Sequence, residues 1–414
     1  MRILIVCQHF WPESFRINDI CKDMTDAGFE VDVLCGIPNY PKGVFFKGYS
    51  YFGPRHENFG EARVIRVGEI PQTKKLGSLS IIMNYYFFPF ASMFHIPFLL
   101  GKHYDLVFMY SLTPVFMSLP GIIIAKCRKI PSMMYILDYW PDSLFSVIRI
   151  KSKLLRKHFA WVSKWHYKRV DRLLTPSRGM KDKLTADLAI PPEKITFIAQ
   201  ACEAFYEKKE YSRELHERFD GKFNFVFAGN IGPAQDLSSL ADAASILKQT
   251  ESEPCCRFIL VGDGMSKAAL VQHIEKLGVQ DYFVFEGYKP SEMMMQYHEL
   301  ADALYASLAG DPLFSIMIPA KVQSYMAAGK PILASMSGEG AQIIEESGCG
   351  KTSPAGDSTK LAQVIREFTG FPKDTLRQMG EAGYTYYYSN YRSDIIRNQL
   401  ISEIKDCMKS HKVK

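Results

Sequence analysis

Several chemical signatures are absent from this chain, and each absence excludes a class of protein. The nine cysteines are scattered without metal-site spacing or a disulfide framework, which favours reduced thiols in a cytosolic protein. The turn Gln8-His-Phe-Trp11 has no glycine, whereas a nicotinamide-dependent oxidoreductase needs G-x-G-x-x-G after its first strand. No Asp-x-Asp pair stands in a loop suited to metal binding, so we expect neither a divalent cation nor a cofactor.

Length and composition are those of an ordinary globular protein with more than one domain. The 414 residues suffice for two full cores, and 47% of them are hydrophobic while 23% are charged. The formal net charge of +6 is mild. The segment Met1–Cys7 is predicted to be a buried strand rather than a secretory signal, because no small-residue cleavage site follows it.

The N-terminal half reads as an α/β pattern. Arg2–Val6 is a continuous apolar run, typical of a strand buried on both faces of a parallel sheet. A helix is predicted from about Ile17 to Ala27, ending at Gly28, and a second strand at Val31–Leu34 completes a βαβ unit.

The loop between these elements carries candidate ligand-binding residues. Loops at the carboxyl edge of an open parallel sheet are where ligands bind, and Glu13, Arg16 and Asn18 stand in this one. We take them as candidate ligand-binding residues of a cleft in the first half. The alternative is a polar edge loop without a ligand.

Asp138 is a candidate site residue of the first half. It follows the predicted strand Pro131–Ile136, and the strand Asp105–Met109 and the helix Val115–Lys129 precede it. A carboxylate at this edge could accept a proton from a substrate hydroxyl. The alternative is an Asp that caps the following helix.

The second half repeats the α/β pattern with glycine-rich turns. The strand beginning at Asn224 is followed by the turn Gly229–Gln235 and then a helix from about Leu237 to Lys248. Glycine lets backbone N–H groups approach a pyrophosphate at a helix N-terminus. The candidate nucleotide-binding residues of this and the two following turns are Gly229, Asn230, Gly232, Gln235, Gly262, Gly264, Gly287 and Tyr288.

The segment Pro319–Ala334 predicts a loop, a short helix that Gly329 ends, and a buried strand. Lys321 falls in the first helical turn, where a cation opposes the helix dipole. An anion held in the cleft would explain this placement. We therefore expect Lys321 to contact a phosphate and to act in catalysis.

At this point the sequence resembles a known family. The segment Pro319–Ala334, with Gln8–Glu13, Gly36–Gly43, Asp138–Pro141 and Gly229–Gly232, is similar to the retaining family-4 glycosyltransferases of the GT-B fold. Within them it is closest to the bacterial polysaccharide enzymes of the fucosamine-transferase and colanic-acid type (WbuB/WcaI-like).

The resemblance implies an architecture. It implies two Rossmann-like domains with parallel sheets facing across a cleft, and a C-terminal helix that crosses back to the first domain. We place the acceptor domain at 1–200 with the helix at about 386–414, and the donor domain at 201–385. The charged connector Gln200–Arg213 marks the boundary.

In related enzymes a residue of the Asp138 neighbourhood, frequently His, lies close to the reacting sugar, and Leu137 stands where that His would fall. The resemblance therefore implies that Asp138 is the base for the acceptor hydroxyl.

The family pattern is not complete in this chain. The family's pair of glutamates would fall at Ile316 and Ser324, and neither is acidic. The resemblance therefore implies that Ser324, with Tyr325, contacts the ribose in place of a glutamate. Asn230 and Gln235 stand where relatives have cationic residues, so Lys321 has to supply the positive charge, with Arg16 as a possible substitute from the first domain.

Two segments suggest a membrane surface. Arg149–Arg172 is strongly basic, with interfacial aromatics, which is typical of a helix lying in anionic headgroups. The alternatives are nucleic acid, for which no recognisable module accompanies the helix, and a solvated basic face with both tryptophans in the core. The membrane-contacting residues are predicted to be Lys153, Arg156, Lys157, Trp161 and Trp165. Ile81–Leu100 is the most apolar window, predicted to be a buried helix or one partly immersed in the bilayer surface.

The residues and the resemblance together predict a cytoplasmic glycosyltransferase, peripheral on the inner face of the bacterial plasma membrane. Its substrates would be a UDP-linked sugar, such as an N-acetylated fucosamine-like one, and a lipid-linked saccharide of O-antigen, capsule or exopolysaccharide biosynthesis. The alternatives are a nucleotide-sugar epimerase or hydrolase of the same fold, and a non-catalytic saccharide-binding protein.

Overall fold

The computed structural model describes residues 1–71, 77–147, 152–202, 204–250 and 253–412 of the chain. They form two compact units, one of Met1–Ile198 with Arg397–Lys414 and the other of Ala199–Ile396. Each unit is built on its own largely parallel sheet with helices between the strands, so the prediction of two Rossmann-like α/β domains is confirmed.

The first unit contains an eight-stranded sheet. Its strands are β1 (Arg2–Val6), β2 (Glu30–Gly36), β3 (His56–Phe59), β4 (Ala62–Val67), β5 (Leu106–Ser111), β6 (Ser132–Ile136), β7 (Arg172–Thr175) and β8 (Ile195–Phe197). Their spatial order is β3-β4-β2-β1-β5-β6-β7-β8, and β3 at the edge pairs antiparallel with β4. The central strands β5 and β6 are buried along their whole length, as their continuous apolar sequences predict.

Helices connect these strands. They are α1 (Ile17–Asp26), α2 (Gly77–Met93), α3 (Ile96–Leu100), α4 (Leu119–Arg128), α5 (Asp142–Val147), α6 (Lys153–Arg169) and α7 (Arg178–Leu188). The helix predicted at Val115–Lys129 is divided, because Val115–Ser118 forms a 3-10 turn before α4 begins. Lys129, with φ 52°, ends α4 in the left-handed region.

The hairpin β3–β4 is not predicted from the sequence. Its turn contains Gly60 with φ 56°, and its outer strand alternates exposed and half-buried side chains, as an edge strand does. On β4, Arg66 is fully buried, and its guanidinium donates to Glu57 and to the carbonyl of Gly36. A buried arginine with polar partners breaks the apolar pattern by which a strand is recognised.

The second unit contains a six-stranded sheet. Its strands are β9 (Phe223–Ala228), β10 (Cys256–Val261), β11 (Phe283–Gly287), β12 (Ala303–Ser307), β13 (Ile332–Ser335) and β14 (Gly350–Ser353). Their order is β11-β10-β9-β12-β13-β14, with all pairs parallel. The helices are α8 (Arg213–Arg218), α9 (Ser238–Lys248), α10 (Lys267–Leu277), α11 (Met294–Leu300), α12 (Pro312–Ser315), α13 (Ala320–Ala327), α14 (Glu339–Glu346), α15 (Ser358–Thr369) and α16 (Lys373–Asn390).

The last helix, α17 (Ser393–Lys412), returns to the first unit. Its Glu403 carboxylate accepts a hydrogen bond from the Thr196 hydroxyl at 2.9 Å and pairs with Arg172 at 3.0 Å. Arg397 approaches Asp23 at 3.9 Å. The implied crossing of the C-terminal helix back to the first domain is therefore confirmed.

Candidate functional site

The site predicted in the second unit begins where β9, β10 and β11 end side by side. Gly229 and Gly262 follow β9 and β10 with φ 142° and 145°, and Gly287 ends β11 with φ 68°. The amide of Gly262 donates to the carbonyl of Gly287 at 2.8 Å. A Cβ on Gly262 would lie 1.9 Å from the carbonyl oxygen of Gly229, so only glycine fits where these turns meet.

A cavity of about 430 Å³ opens above these turns. Its walls come from Gly229–Asn230, Gly262–Asp263 and Tyr288–Lys289, with Tyr206 and Met294 on the remaining sides. Tyr288 is 77% exposed at the rim, so its ring is free to stack on a planar ligand. The volume and mixed lining are those of a small-molecule site.

The other predicted residues of these turns do not line the cavity. Gly264 packs against the carbonyl of Ile231, where a Cβ would come within 2.3 Å. Gly232 begins the 3-10 turn Pro233–Gln235, and the Gln235 side chain points to a lysine instead.

That lysine is Lys321, in the first turn of α13 as predicted. Its Nζ donates to Gln235 Oε1 at 2.5 Å, lies 3.9 Å from the centre of the Phe227 ring, and stands 3.5 Å from where a Cβ on Gly229 would be. Burial lowers the pKa of Lys321 to about 7. Within the described residues no carboxylate pairs with Lys321, so its half-buried amino group has one neutral side-chain acceptor, Gln235.

Ser324 and Tyr325 take different roles from those predicted. The Ser324 hydroxyl donates to the carbonyl of Lys321 at 3.0 Å. Tyr325 is buried, and its hydroxyl accepts from the amide of Ala228 at 3.0 Å. The Ser324 bond therefore lies within α13, whereas the Tyr325 bond joins α13 to the end of β9.

In the first unit, the Glu13 carboxylate organises the loop after β1. It is buried, accepting from the amides of Asn39 and Tyr40 at 2.6 Å and from His9 Nδ1 at 3.0 Å. Burial disfavours protonation of His9, but the bond to Glu13 and the charges of Glu69 and Glu13 outweigh it and raise the pKa of His9. Glu13 thus joins two loops rather than facing a substrate with free oxygens.

Arg16 and Asn18 lie in the same loop. The Asn18 side chain accepts from the amide of Trp11 at 2.9 Å and donates to the carbonyl of Glu13 at 2.7 Å, so it too stabilises the loop. Arg16 is half-buried, and its charge opposes the burial that raises the pKa of Tyr110.

A buried polar cluster that the sequence does not predict lies beside this loop. Gln8 donates to Glu69 Oε1 and to Asn84 Oδ1, both at 2.8 Å, and Asn84 donates to Glu69 Oε1 at 2.9 Å. Burial raises the pKa of Glu69. Glu69 follows β4. Because the sequence does not predict the β3–β4 hairpin, it does not indicate that Glu69 lies at this edge of the sheet.

Asp138 lies at the end of β6, where the sequence predicts it. Its Oδ2 accepts from the amide of Thr113 at 3.0 Å, and no hydrogen bond to a helix N-terminus is seen for it in the described part of the chain. Burial raises its pKa, and the bonds from Thr113 oppose the shift. A partly buried carboxyl with a raised pKa is a stronger base than an exposed one.

The basic helix α6 is largely exposed. Trp161 is 61% exposed, so the alternative that buries both tryptophans is wrong for this residue. Trp165 is half-buried beneath the Arg169 guanidinium, 3.9 Å from the ring centre. Lys153, Arg156 and Lys157 are exposed, whereas Arg149 and Lys151 of the predicted basic segment lie outside the described residues. Among the described helices, none is both long and apolar enough to cross a membrane.

Comparison with known proteins places this geometry in a family. The family model "Glycosyl transferase 4-like domain" matches residues 14–200, and "Glycosyl transferases group 1" matches residues 222–369. The chain is 28% identical over 290 residues to the probable glycosyltransferase WbjE of Pseudomonas aeruginosa, covering 65% of this chain and 68% of the relative. It is 23% identical over 345 residues to the putative colanic acid biosynthesis glycosyl transferase WcaI of Escherichia coli, covering 80% and 82%.

Solved structures share the fold. HepE of Anabaena, solved in complex with UDP, superposes with a TM-score of 0.68 at 16% identity, covering 98% of this chain and 100% of that one. WaaG, a glycosyltransferase involved in lipopolysaccharide biosynthesis, superposes with a TM-score of 0.62 at 14% identity, covering 94% and 95%. At these identities the likeness is one of fold.

Proposed function

Since the chain belongs to the glycosyltransferases, which both matching family models describe, we propose that it transfers a sugar from a nucleotide donor with retention. The donor we propose is a UDP-linked, N-acetylated, fucosamine-like sugar. The acceptor is a hydroxyl of a lipid-linked saccharide in O-antigen, capsule or exopolysaccharide biosynthesis. The relatives named for amylovoran and colanic acid biosynthesis support a role in polysaccharide synthesis.

The observation that carries the proposal is the half-buried amino group of Lys321, which lies beside the Gly229 turn that lines the cavity. A cation without a counter-charge is costly to bury, and a diphosphate is the partner that would repay the cost. The uridine base would stack at Tyr288 on the cavity rim.

In the proposed reaction, the acceptor oxygen bonds to the anomeric carbon as the bond from that carbon to the diphosphate breaks. The bonding electrons leave with the diphosphate, whose growing negative charge Lys321 stabilises. The proton of the acceptor hydroxyl passes to Asp138, whose raised pKa suits it as a base. Catalysis depends mainly on stabilising the charge of the leaving group. The absence of the family's two glutamates, which Ile316 and Ser324 replace, therefore does not prevent it.

The acceptor would be reached at the inner face of the bacterial plasma membrane. The side of α6 that carries Lys153, Arg156 and Lys157 has the charge that anionic headgroups attract, and Trp161 is exposed for the interface. We propose that α6 holds the enzyme there as a peripheral protein.

A melting-temperature screen tests the donor. Uridine diphosphate, guanosine diphosphate and adenosine diphosphate are compared, followed by their sugar forms. A ligand at a hundredfold its Kd should raise the melting temperature by ~2–4 °C, and we expect this for the uridine compounds. No shift with any nucleotide would refute the donor assignment.

The metal prediction is tested by turnover in the presence of a chelator. We propose that Lys321 takes the place of a metal at the leaving group, so EDTA should leave the rate unchanged. A loss of turnover that added Mg²⁺ or Mn²⁺ restores would contradict this role of Lys321.

The reaction products distinguish transfer from the alternative activities. Release of the sugar into water without an acceptor would favour a hydrolase, and an epimerised donor would favour an epimerase.

A further inference from the structure

The helices α2 and α3 present an apolar face that nothing in the described chain covers. Across Met83–Leu100, exposed and buried positions alternate with helical spacing: Asn84, Tyr85, Phe88 and Ser92 face inward. The outward positions carry large apolar side chains. These are Met83, Tyr86, Phe90, Phe94 and Phe98, which we call the aromatic stripe, and they are 41%, 49%, 60%, 72% and 56% exposed.

The composition of these helices is unusual for a surface element. Residues 77–100 include no Asp, Glu, Lys or Arg, and His95 is their only titratable side chain apart from tyrosines. A helix that is apolar all round is normally buried in a core or in lipid. Here one side is buried and the other is exposed, and a contiguous exposed apolar patch of this kind marks a binding surface.

A chain of ring contacts links the stripe to the basic helix α6. Tyr86 contacts Phe116 with ring centres 4.8 Å apart, Phe116 contacts Trp140 at 5.3 Å, and Trp140 contacts Phe159 of α6 at 5.4 Å. The two helices therefore lie on neighbouring parts of one unit. An uncharged aromatic surface beside a cationic one has the layout of a protein that rests on an anionic bilayer.

The charge on α6 argues against a second copy of the chain as the occupant. Lys153–Arg169 contains no acidic residue, and within the described residues no carboxylate pairs with Lys153, Arg156 or Lys157. A symmetric dimer across the stripe would bring these like charges towards each other, which costs free energy. An anionic membrane offers acyl chains to the aromatic stripe and negative headgroups to the basic side of α6.

We propose that the aromatic stripe inserts into the boundary between headgroups and acyl chains of an anionic membrane, as an apolar contact beside the electrostatic contact of α6. This rests on the membrane association proposed above and adds a second, salt-resistant component to it. Phe90, Phe94 and Phe98 supply the apolar area that the membrane would bury. Tyr86 is the member of the stripe whose ring contact leads towards α6.

Vesicle co-sedimentation separates the two components. The triple variant Phe90→Ser, Phe94→Ser, Phe98→Ser is compared with the natural chain on vesicles of phosphatidylcholine with phosphatidylglycerol. The measurement is made at low salt and at about 1 M salt, where the screening length is about 3 Å. We expect the triple variant to lose at least about tenfold of the salt-resistant partition coefficient.

Controls distinguish insertion from other effects of the substitutions. Tyr211→Ser with Met265→Ser removes exposed apolar side chains of the second unit, 66% and 84% exposed, and should leave vesicle binding unchanged. The triple variant should keep the natural melting temperature and its turnover with a soluble acceptor. In a separate variant, Phe94→Trp, the new fluorescence should be quenched by brominated acyl chains, whereas that of Tyr211→Trp should not.

Each other outcome overturns the inference in a recognisable way. Unchanged vesicle binding of the triple variant, with charge reversal on α6 still releasing the chain, refutes insertion and leaves the proposed membrane association intact. If neither set of substitutions affects binding, the membrane association itself fails. If the triple variant instead converts a dimer to a monomer in analytical ultracentrifugation without an effect on vesicles, the stripe is covered by a second copy.

Discussion

At the scale of single residues, the site depends on how burial changes the chemistry of ordinary side chains. Lys321 is placed in a predicted helix, yet its pKa of about 7 comes from the enclosure that Phe227 and the Gly229 turn provide. Asp138 gains basicity in the same way, from loss of water. Neither property can be read from the residue type alone.

Lys321 predicts a specific pH dependence of diphosphate binding. Below pH 7 the ammonium is already charged, whereas above pH 7 the free protein must take up a proton when the diphosphate binds. Affinity for UDP should therefore fall by up to about tenfold per pH unit between pH 7 and 9, where the phosphate is fully ionised. Calorimetry in buffers of different ionisation enthalpy should detect the proton uptake.

Substitution of the same lysine separates charge from shape. Lys321→Met should weaken UDP binding about tenfold to a hundredfold, the size of a charged hydrogen bond, and should remove the pH slope. Uridine lacks the diphosphate, so its binding should change little. Equal losses for uridine and UDP would show that the charge assignment is wrong.

Asp138→Asn tests the proposed base. The amide keeps the shape and can still accept from the amide of Thr113, but it cannot take a proton. We expect kcat to fall by about 10²–10⁴ with UDP affinity unchanged. Asp142→Asn is the control, since that carboxylate pairs with Lys183 at 3.4 Å, and it should retain turnover. Equal kcat in both variants would remove Asp138 from the mechanism.

At the scale of elements, α6 packs against its unit along one side and exposes its basic residues on the other. Its N-terminus is capped by Ser152, whose side chain accepts from Leu155, and Ser163, His166 and Tyr167 face the unit's interior. Exposed Leu154 and Trp161 contribute little to that packing. The cationic side is thus available for binding without cost to the fold.

Charge reversal on α6 should release the protein from anionic vesicles. The variant replaces Lys153, Arg156, Lys157 and Lys164 with Glu, and its partition should fall steeply at low salt, since each basic residue contributes about 1 kcal/mol near an anionic surface. A control reverses four exposed lysines elsewhere, namely Lys42, Lys208, Lys209 and Lys373. Equal release by the two variants would indicate a general charge effect rather than a contact made by α6.

At the scale of the whole molecule, the chain folds as two units, and most of its last helix, α17, belongs to the first unit. Within α17, the side chains of Leu400, Ile404, Cys407 and Met408 are buried, and Glu403 holds Thr196 and Arg172. The C-terminal residues therefore belong to the core of the first unit, although they follow the second unit in sequence.

Truncation after Ile396 should destabilise the first unit. Each large apolar side chain lost from the core removes about 1.5–3 kcal/mol, which together is a large part of the stability of a typical domain. Hydrogen exchange should show loss of protection in β7 and β8, while the strands of the second unit keep theirs. Removal of residues 411–414 alone should leave β7 and β8 protected. Unaltered exchange in the longer truncation would contradict this role of α17.

The sequence by itself determined the parallel strands, the glycine turns and the position of Lys321, because continuous apolar runs and left-handed or crowded backbone positions permit few residues. It did not determine that Glu13 and Tyr325 would be consumed by internal hydrogen bonds, or that Arg66 would be buried within β4. Nor did it determine which side of α2 faces outward. Those outcomes depend on neighbours distant in sequence, and only the tertiary structure brings such neighbours together.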